Sequence, residues 1–394
     1  MPTKECINNM NEALSQLIRI SKTVGRDSTL VQGGGGNTSV KTADGKYMYI
    51  KASGTALKDM SKTRGWRRMR LDSVLSIIKD KSLARLETHA REIEVVNRLL
   101  LACDDHVKGP ARPSVEAHLH GFLDKCVIHL HPSAAGAFVN ARNGKAILEK
   151  LFKTEAIPPL WVPYTDPGST LAKKIAKLVK NYQKQFGKKP KILFLHKHGL
   201  FITTGNADSA LRLVHKVIKR CNSKLKQPKA RKVKSVNPEK IKDIKQRIRR
   251  EFLKATGRNT TITYFYDAEI ADFMGQKDAK EMLSAGVLTP DELVYSNGPA
   301  MWVEQIEKAD IAKRLTAQIK KGEKHCLAFL VKDAGLFVAG KKKVAQTVRD
   351  IVAYSAFIRT NAKRMGGICN LNKRQRDFIN KWEAEAFRKK VAGA

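Results

Sequence analysis

The chain has 394 residues, long enough for two domains, and 42% of them are hydrophobic, enough to bury substantial cores. Its 75 Lys and Arg against 37 Asp and Glu give a formal charge of +38. Such a field attracts phosphorylated metabolites, acidic surfaces or nucleic acid, but it says little about fold. The six cysteines (Cys6, Cys103, Cys126, Cys221, Cys326, Cys369) lie far apart with no C-x-x-C pair, which argues against a zinc ribbon or a disulfide framework and for a reducing, cytoplasmic setting. The N-terminal segment has no apolar signal-peptide core. No uncharged run approaches the roughly 18 apolar residues that a membrane helix needs, so no membrane partner is expected.

In chain order, Leu14, Leu17, Ile18 and Val24 recur at helical spacing and predict an amphipathic first helix from about Asn8 to Val24. The run Gly33-Gly34-Gly35-Gly36-Asn37-Thr38-Ser39 follows. Four glycines allow close approach of backbone amides to a ligand, and Asn37 with the hydroxyls can bond an anion. The run is neither a Walker loop nor G-x-G-x-x-G. Residues Thr38 to Lys41 and Tyr47 to Lys51 read as strands, and Asp44-Gly45 between them is a hairpin signal. The small polar turn Ala52-Ser53-Gly54-Thr55 stands directly after, so two turns at the ends of one hairpin can converge on one ligand. Residues Leu71 to Ile78 and Arg91 to Leu101 are predicted helices.

Next come Pro113-Ser114-Val115-Glu116, with Ser114 and Glu116 at the start of a short helix that carries His118 and His120. The following strand, Cys126 to His131, projects His129 and His131 from one face because strand side chains repeat every two residues. Two imidazoles from one strand make half of a metal site. A third nitrogen, with a coordination position left open, completes the tripod of a catalytic divalent ion such as zinc. His118 and His120 point about 200° apart on a helix and do not share an ion; His118 reads as a core histidine and His120 as a second-layer brace. The buried strand Lys191 to Leu195 leads into His196-Lys197-His198-Gly199, and either histidine can be the third ligand, with Gly199 favouring His198.

A helix is predicted from Leu171 to about Tyr182. Between Cys221 and Thr260 stand fourteen Lys and Arg against three Asp and Glu, with Pro228 and Pro238 interrupting, a basic linker followed by a charged helix. Nonspecific nucleic-acid binding is most plausible there but is not favoured, since no aromatic stacking platform accompanies the charge. The second half echoes the first. Gly199-Leu200-Phe201-Ile202 before a helix matches Gly335-Leu336-Phe337-Val338 before the predicted helix Val344 to Phe357, with Ala334 where the first copy has His198. A strand-turn-helix unit recurs without its ligand, so the second half reads as a structural or substrate-covering relative. Phe378 to Glu385 suits a packed C-terminal helix.

Gly36-Asn37-Thr38-Ser39, Ala52-Ser53-Gly54, Pro113-Ser114-Val115-Glu116, His129-Leu130-His131-Pro132 and His198-Gly199, in that order, resemble the class II aldolase/adducin family over about residues 8 to 222. The longer form, with Pro163-Tyr164-Thr165-Asp166-Pro167-Gly168 and a second half ending near Trp382, is most similar to the aldolase portion of rhamnulose-1-phosphate aldolase/alcohol dehydrogenase proteins, without an evident dehydrogenase portion. The resemblance implies an α/β layered fold with a central, mainly antiparallel sheet flanked by helices, and a degenerate related second half. The domain limits expected are 1–225 for the metal-binding catalytic domain, 226–260 for the basic linker and helix, and 261–394 for the repeat or cover.

The resemblance further implies that His129, His131 and His198 hold Zn2+ or another divalent metal and that Glu116 is the catalytic acid/base. Gly36, Asn37, Ser53, Gly54 and Ser114 are then the phosphate or substrate contacts. The activity implied is cleavage of a ketose 1-phosphate, or a related sugar acid or phosphate, to a three-carbon ketone unit and an aldehyde through a metal-stabilised enediolate, in a homo-oligomer. Epimerisation or dehydration of a sugar phosphate on the same site, and a non-enzymatic adducin-like or basic scaffold, are the alternatives. Val115 departs from the family's P-S-S-E, removing a hydroxyl contact to phosphate and putting the phosphorylated nature of the substrate in question.

Overall fold

The computed structural model describes residues 4–105, 111–229, 233, 235–382 and 387. The first half runs α1 (Lys4–Gly25), β1 (Asn37–Lys41), β2 (Tyr47–Lys51), β3 (Trp66–Arg70), α2 (Leu71–Lys79), α3 (Thr88–Leu101), α4 (Ala117–Gly121), β4 (Cys126–Leu130), α5 (Ser133–Val139), α6 (Gly144–Leu151), β5 (Leu160–Val162), α7 (Ser169–Phe186), β6 (Ile192–Leu195), β7 (Gly199–Thr204) and α8 (Ala207–Asn222). Its strands form one sheet in the order β3-β2-β1-β4-β7-β6-β5. Every pairing is antiparallel except β5 with β6.

The period of two sorts β4 between two cores. Ile128 and Leu130 join Leu17 and Ile20 of α1, Phe138 of α5 and Val214 and Val217 of α8 on one face. Val127 joins Leu171 and Ile175 of α7 and Phe201 of β7 on the other. His129 lies on the second face, its ring stacked on Phe201 at 4.0 Å between centroids. The sheet is thus covered by helices on both sides, and the histidine pair lies on the α4/α7 side. The β1–β2 hairpin turns at Asp44-Gly45, where Gly45 has φ +68°, a conformation glycine adopts without steric cost.

The second half runs α9 (Pro238–Thr256), β8 (Ile262–Phe265), α10 (Ala268–Met274), α11 (Ala279–Ser284), α12 (Pro290–Ser296), β9 (Met301–Val303), α13 (Ile311–Lys320), β10 (Ala328–Val331), β11 (Gly335–Ala339), α14 (Lys342–Arg364) and α15 (Lys373–Lys381). Its four-stranded sheet has the order β8-β11-β10-β9. The charged segment expected as linker and helix contains α9, whose Ile244, Ile248 and Phe252 are buried against Phe329 and Phe337 of this sheet. The C-terminal helix is Lys373–Lys381; its expected continuation to Glu385 falls outside the described residues.

The echo between the halves is a structural repeat. β5 runs parallel to β6 with Trp161 opposite Phe194, and β9 runs parallel to β10 with Trp302 opposite Leu330. His196 N donates to Val162 O at 3.0 Å, and Lys332 N donates to Val303 O at 2.9 Å. In register, His129 faces Phe201 across β4–β7 as Tyr264 faces Phe337 across β8–β11. Tyr264, Tyr266 and Ala334 therefore stand where the first half has His129, His131 and His198.

The halves share packing. Gly136 on α5 admits α14 so closely that a Cβ there would lie 2.6 Å from Ile358 Cδ1. Ala362 and Met365 of the second half belong to the core under α1, α5 and α8. Backbone bonds add to the join: Arg142 N to Gly367 O at 3.0 Å and Cys369 N to Asn140 O at 2.7 Å.

Candidate metal centre and active site

β4 ends at Leu130, so His129 is its last inward-facing residue and His131 follows just beyond the strand, on the same side. β7 pairs with β4 so that Leu200 lies opposite Leu130, and this register carries His198, at the turn before β7, to the same spot. Candidate ligand atoms of His129, His131 and His198 all lie within 4.8 Å of one another. His196, the alternative third ligand, packs its ring beside Trp161 instead. The difference arises at Lys197, whose φ of +58° turns the chain between the two histidines. Gly199 is needed for the approach: a Cβ there would be 2.5 Å from Leu130 O and 2.8 Å from His131 Cδ2.

The hydrogen bonds fix the imidazole tautomers. His129 Nδ1 lies 3.2 Å from Leu200 O, and His131 Nδ1 lies against Asp291 Oδ2. A carbonyl and a carboxylate only accept, so both Nδ1 atoms carry the proton. The two Nε2 atoms then present lone pairs to each other at 3.1 Å. With both rings neutral no proton lies between them, and converging lone pairs are what a divalent cation satisfies. Burial, with His129 as the next contribution, pushes His198 down to about 3, favouring the neutral, ligating form.

Glu116 stands at the N-cap position of α4, its side chain making no capping bond there, and lines one cavity with the three rings. Its Oε2 lies 3.5 Å from His129 Nε2 and its Oε1 lies 3.9 Å from His198 Nε2. Asn37 Nδ2 donates to Oε2 at 2.6 Å, leaving Glu116 Oε1 and Asn37 Oδ1 as buried oxygens with no hydrogen-bond partner. Most buried polar atoms find a partner, and these two oxygens, both on residues that line the cavity, are acceptors open to a ligand. Lys41 steadies the carboxylate's helix from the far end, its Nζ donating to His120 O, Leu123 O and Asp124 O at 2.7–3.0 Å, and burial pushes its pKa down to about 7.

The two small turns meet as expected. Ala52 and Pro113 form an antiparallel bridge, Ser53 N donates to Arg112 O and Ser114 N donates to Lys51 O. Gly36, Asn37, Ser53, Ser114, Val115 and Glu116 line one cavity of about 40 Å³ with the three histidines. Gly54 does not line it and borders the groove behind the glycine loop. His118 and His120 are buried apart from the cluster; His120 Nδ1 bonds Ser39 Oγ at 2.8 Å, and so braces β1 and not a ligand as expected. Burial lowers both, His118 to about 4.

Several residues of the site are not among the site residues expected from the sequence. Lys51, at the end of β2, is 3% exposed, lines the cavity and donates to Gly34 O at 2.9 Å. Pro167, Pro290 and Trp382 complete the lining, the last two from the second half. Pro167 is held by the turn after it, where the buried Glu92 carboxylate accepts from Ser169 N at 3.1 Å; burial raises the Glu92 pKa. Gly34 also lines the cavity, and Gly33, Gly34 and Gly35 all pack against the second half, since Cβ atoms on them would meet Thr347 Cγ2, Tyr295 Oη and Asp291 Oδ2 at 2.8–2.9 Å.

This is the α/β layered fold and three-histidine centre of a class II aldolase-like protein. The family described as the Class II Aldolase and Adducin N-terminal domain matches residues 15–225, more than half of the chain, and the chain belongs to it. A curated relative, the "Uncharacterized oxidoreductase YuxG" of Bacillus subtilis (strain 168), is 28% identical over 329 residues, 79% of this chain and 45% of the relative. The chain thus spans less than half of that relative's length. Among solved structures, the N-terminal class II aldolase domain of a conserved protein from Thermoplasma acidophilum is 27% identical, covering 53% of this chain and 92% of that one at a TM-score of 0.44. The L-fuculose-1-phosphate aldolase from Thermus thermophilus is 16% identical, covering 53% and 93% at a TM-score of 0.32. Among the described residues no helix is long and apolar enough to cross a membrane.

Proposed function

We propose that the chain is a divalent-metal-dependent aldehyde-lyase that cleaves a ketose 1-phosphate, or a related anionic sugar derivative, to a three-carbon ketone unit and an aldehyde. The observation that carries this reading is the Glu116 carboxylate, its Oε1 without a hydrogen-bond partner, 3.9 Å from His198 Nε2 and beside two imidazole lone pairs aimed at one point. His129, His131 and His198 hold the ion, with zinc the first candidate. Bound there, it supplies Lewis-acid stabilisation of the negative charge that develops on the substrate oxygens.

The remaining steps belong to the chain. Gly36, Asn37, Ser53 and Ser114 line the space in which the substrate's anionic end is held, with Gly54 on the flank. The buried Lys51 lines the same space, and its amino group suits an anionic substrate although Val115 offers no hydroxyl. In cleavage, the hydroxyl on the aldehyde side gives its proton to solvent water, from which Glu116 is in turn protonated, the carbon–carbon bond breaks, and its electron pair passes to the ketone side. Glu116 Oε1 gives the proton that the ketone-side carbon then takes, and removes it in the reverse direction. Asn37 Nδ2 occupies the other carboxylate oxygen, which leaves Oε1, without a hydrogen-bond partner, as the atom that carries the proton.

The division expected from the sequence, with limits 1–225, 226–260 and 261–394, is retained in this reading, the last part acting as the cover that brings Pro290 and Trp382 to the cavity. A cytoplasmic homo-oligomer with a small-molecule substrate completes it, and the long-form likeness to rhamnulose-1-phosphate aldolase portions directs the first substrates to try. Incubation of the metal-loaded protein with ketose 1-phosphates is the test. Release of dihydroxyacetone phosphate supports the lyase. An isomerised or dehydrated product without cleavage replaces it by epimerase or dehydratase chemistry on the same residues.

A further inference from the structure

The second half has lost the ligands of its own copy, yet it reaches into the first half's centre. In the first half, residues 152–159 join α6 to β5; at the equivalent place in the second half, residues 285–300 join α11 to β9. The connection is sixteen residues where its counterpart is eight, and the excess contains α12. Helix α12 delivers Asp291, 1% exposed, to His131 Nδ1, and Tyr295, whose hydroxyl accepts from Gly34 N at 3.0 Å.

α12 is held in place by a buried ion pair. Arg359 of α14 donates to both carboxylate oxygens of Glu292 at 2.9 and 3.0 Å, and to Met282 O and Gly286 O at 2.7 Å. Glu292 also accepts from Leu288 N at 2.7 Å, just before the helix. On the other side, the glycine loop has been cleared to admit this helix. A Cβ on Gly35 would lie 2.8 Å from Asp291 Oδ2 and 3.3 Å from His131 Nδ1. The two strand histidines are therefore oriented differently: His129 by a neutral carbonyl of its own half, and His131 by a carboxylate from the other half.

We infer that Asp291 is a positioning residue of the metal centre: the second half completes the first half's site by fixing the tautomer and ring orientation of His131 and raising the basicity of its Nε2. A histidine ligand whose second nitrogen bonds a carboxylate holds metal more tightly, and removing such a partner costs about 10–100-fold in affinity. The inference rests on the metal centre proposed above and adds to it the source of its strength.

The test is Zn2+ affinity, by competition with a chromophoric chelator, of the full chain with Asp291→Asn, His131→Ala, and both. Asp291→Asn is isosteric, and the metal-free variant is checked for folding by circular dichroism and heat unfolding. The expected result is a loss of about 10–100-fold for Asp291→Asn, a changed visible spectrum when Co2+ is the probe, and no added loss when His131 is already alanine. Affinity within about twofold of the unsubstituted chain overturns the inference, as does an equal loss in the His131→Ala background. If the variant does not fold, the unsubstituted Zn2+-loaded protein is read by nitrogen and proton NMR of its imidazoles. A strongly downfield, exchange-protected proton on His131 Nδ1 is expected; metal on Nδ1 overturns the inference. Failure of the unsubstituted chain to bind Zn2+ sinks the metal centre itself, whereas binding indifferent to Asp291→Asn sinks only the role of Asp291.

Discussion

The hairpin β6–β7 and its counterpart β10–β11 share a left-handed turn residue, Lys197 and Asp333 standing at φ +58° and +56° before a glycine-led strand. His198 N bonds Leu195 O at 3.0 Å just as Ala334 N bonds Val331 O at 3.0 Å. Beyond the turn the two diverge. His198 enters a polar cavity with two other imidazoles and Glu116, while Ala334 is fully buried in the core with Phe252, Phe329 and Phe337. Backbone geometry alone therefore does not make the site. It provides a scaffold on which three side chains decide between a ligand cluster and a core, and the second copy differs further by its additional helix α12.

That contrast can be broken most severely at Glu116, which stands outside the repeated hairpin, at the N-terminus of α4. Glu116→Gln keeps the shape and the contact with Asn37 while removing the proton carrier. A loss of roughly 10²–10⁴ in kcat, with metal content unchanged, is expected from general acid–base catalysis; retention of kcat would move the acid/base role elsewhere. Next in size is the anchor of α12. Arg359→Met leaves the Glu292 charge buried without its partner, at a cost of about 3–5 kcal/mol, read by denaturant unfolding. A shift of only a few tenths would mean that α12 is held by its apolar contacts instead.

The smallest expected effect comes from the second copy itself. Ala334→His puts an imidazole at the position of His198, but Tyr264 and Tyr266 occupy the other two ligand positions. Overpacking costs about 1–3 kcal/mol, and heat unfolding should record the loss with no additional metal bound. A gain of a second ion would show that the copy retains more of the site than its tyrosines allow.

Much of this arrangement is legible in the sequence because it depends on short periods. The Asp44-Gly45 hairpin, the i, i+2 pair His129 and His131, and the repeated Gly-Leu-Phe strands are local patterns, and each folds as its spacing dictates. The order of the small turns also carries over, because the bridge between Ala52 and Pro113 brings Ser53 and Ser114 to one cavity. The choice between His196 and His198 stays open in the sequence, since only the left-handed backbone at Lys197 separates them. Asp291 is invisible for another reason. It lies 160 residues from His131 and, in Thr289-Pro290-Asp291-Glu292, reads as an acidic residue in the first turn of a helix, where the macrodipole explains it.

The four glycines illustrate the same limit. Their permissiveness predicts close approach, but the sequence does not say what approaches. Only Gly36 lies against the ligand strand, where a Cβ would be 2.7 Å from His129 O, while the preceding three face the second half. Lys51 is likewise read only as the last residue of a strand, and its burial depends on the glycine loop, whose Gly34 O accepts from Lys51 Nζ.

The central claim, a divalent-metal centre of His129, His131 and His198 opposite Glu116, is tested most directly by metal analysis. The bound divalent ion of the purified full chain is compared with that of His198→Ala and His196→Ala after the same dialysis. The account predicts an ion in the unsubstituted protein, its loss in His198→Ala and its retention in His196→Ala. Equal metal contents in all three proteins would contradict it.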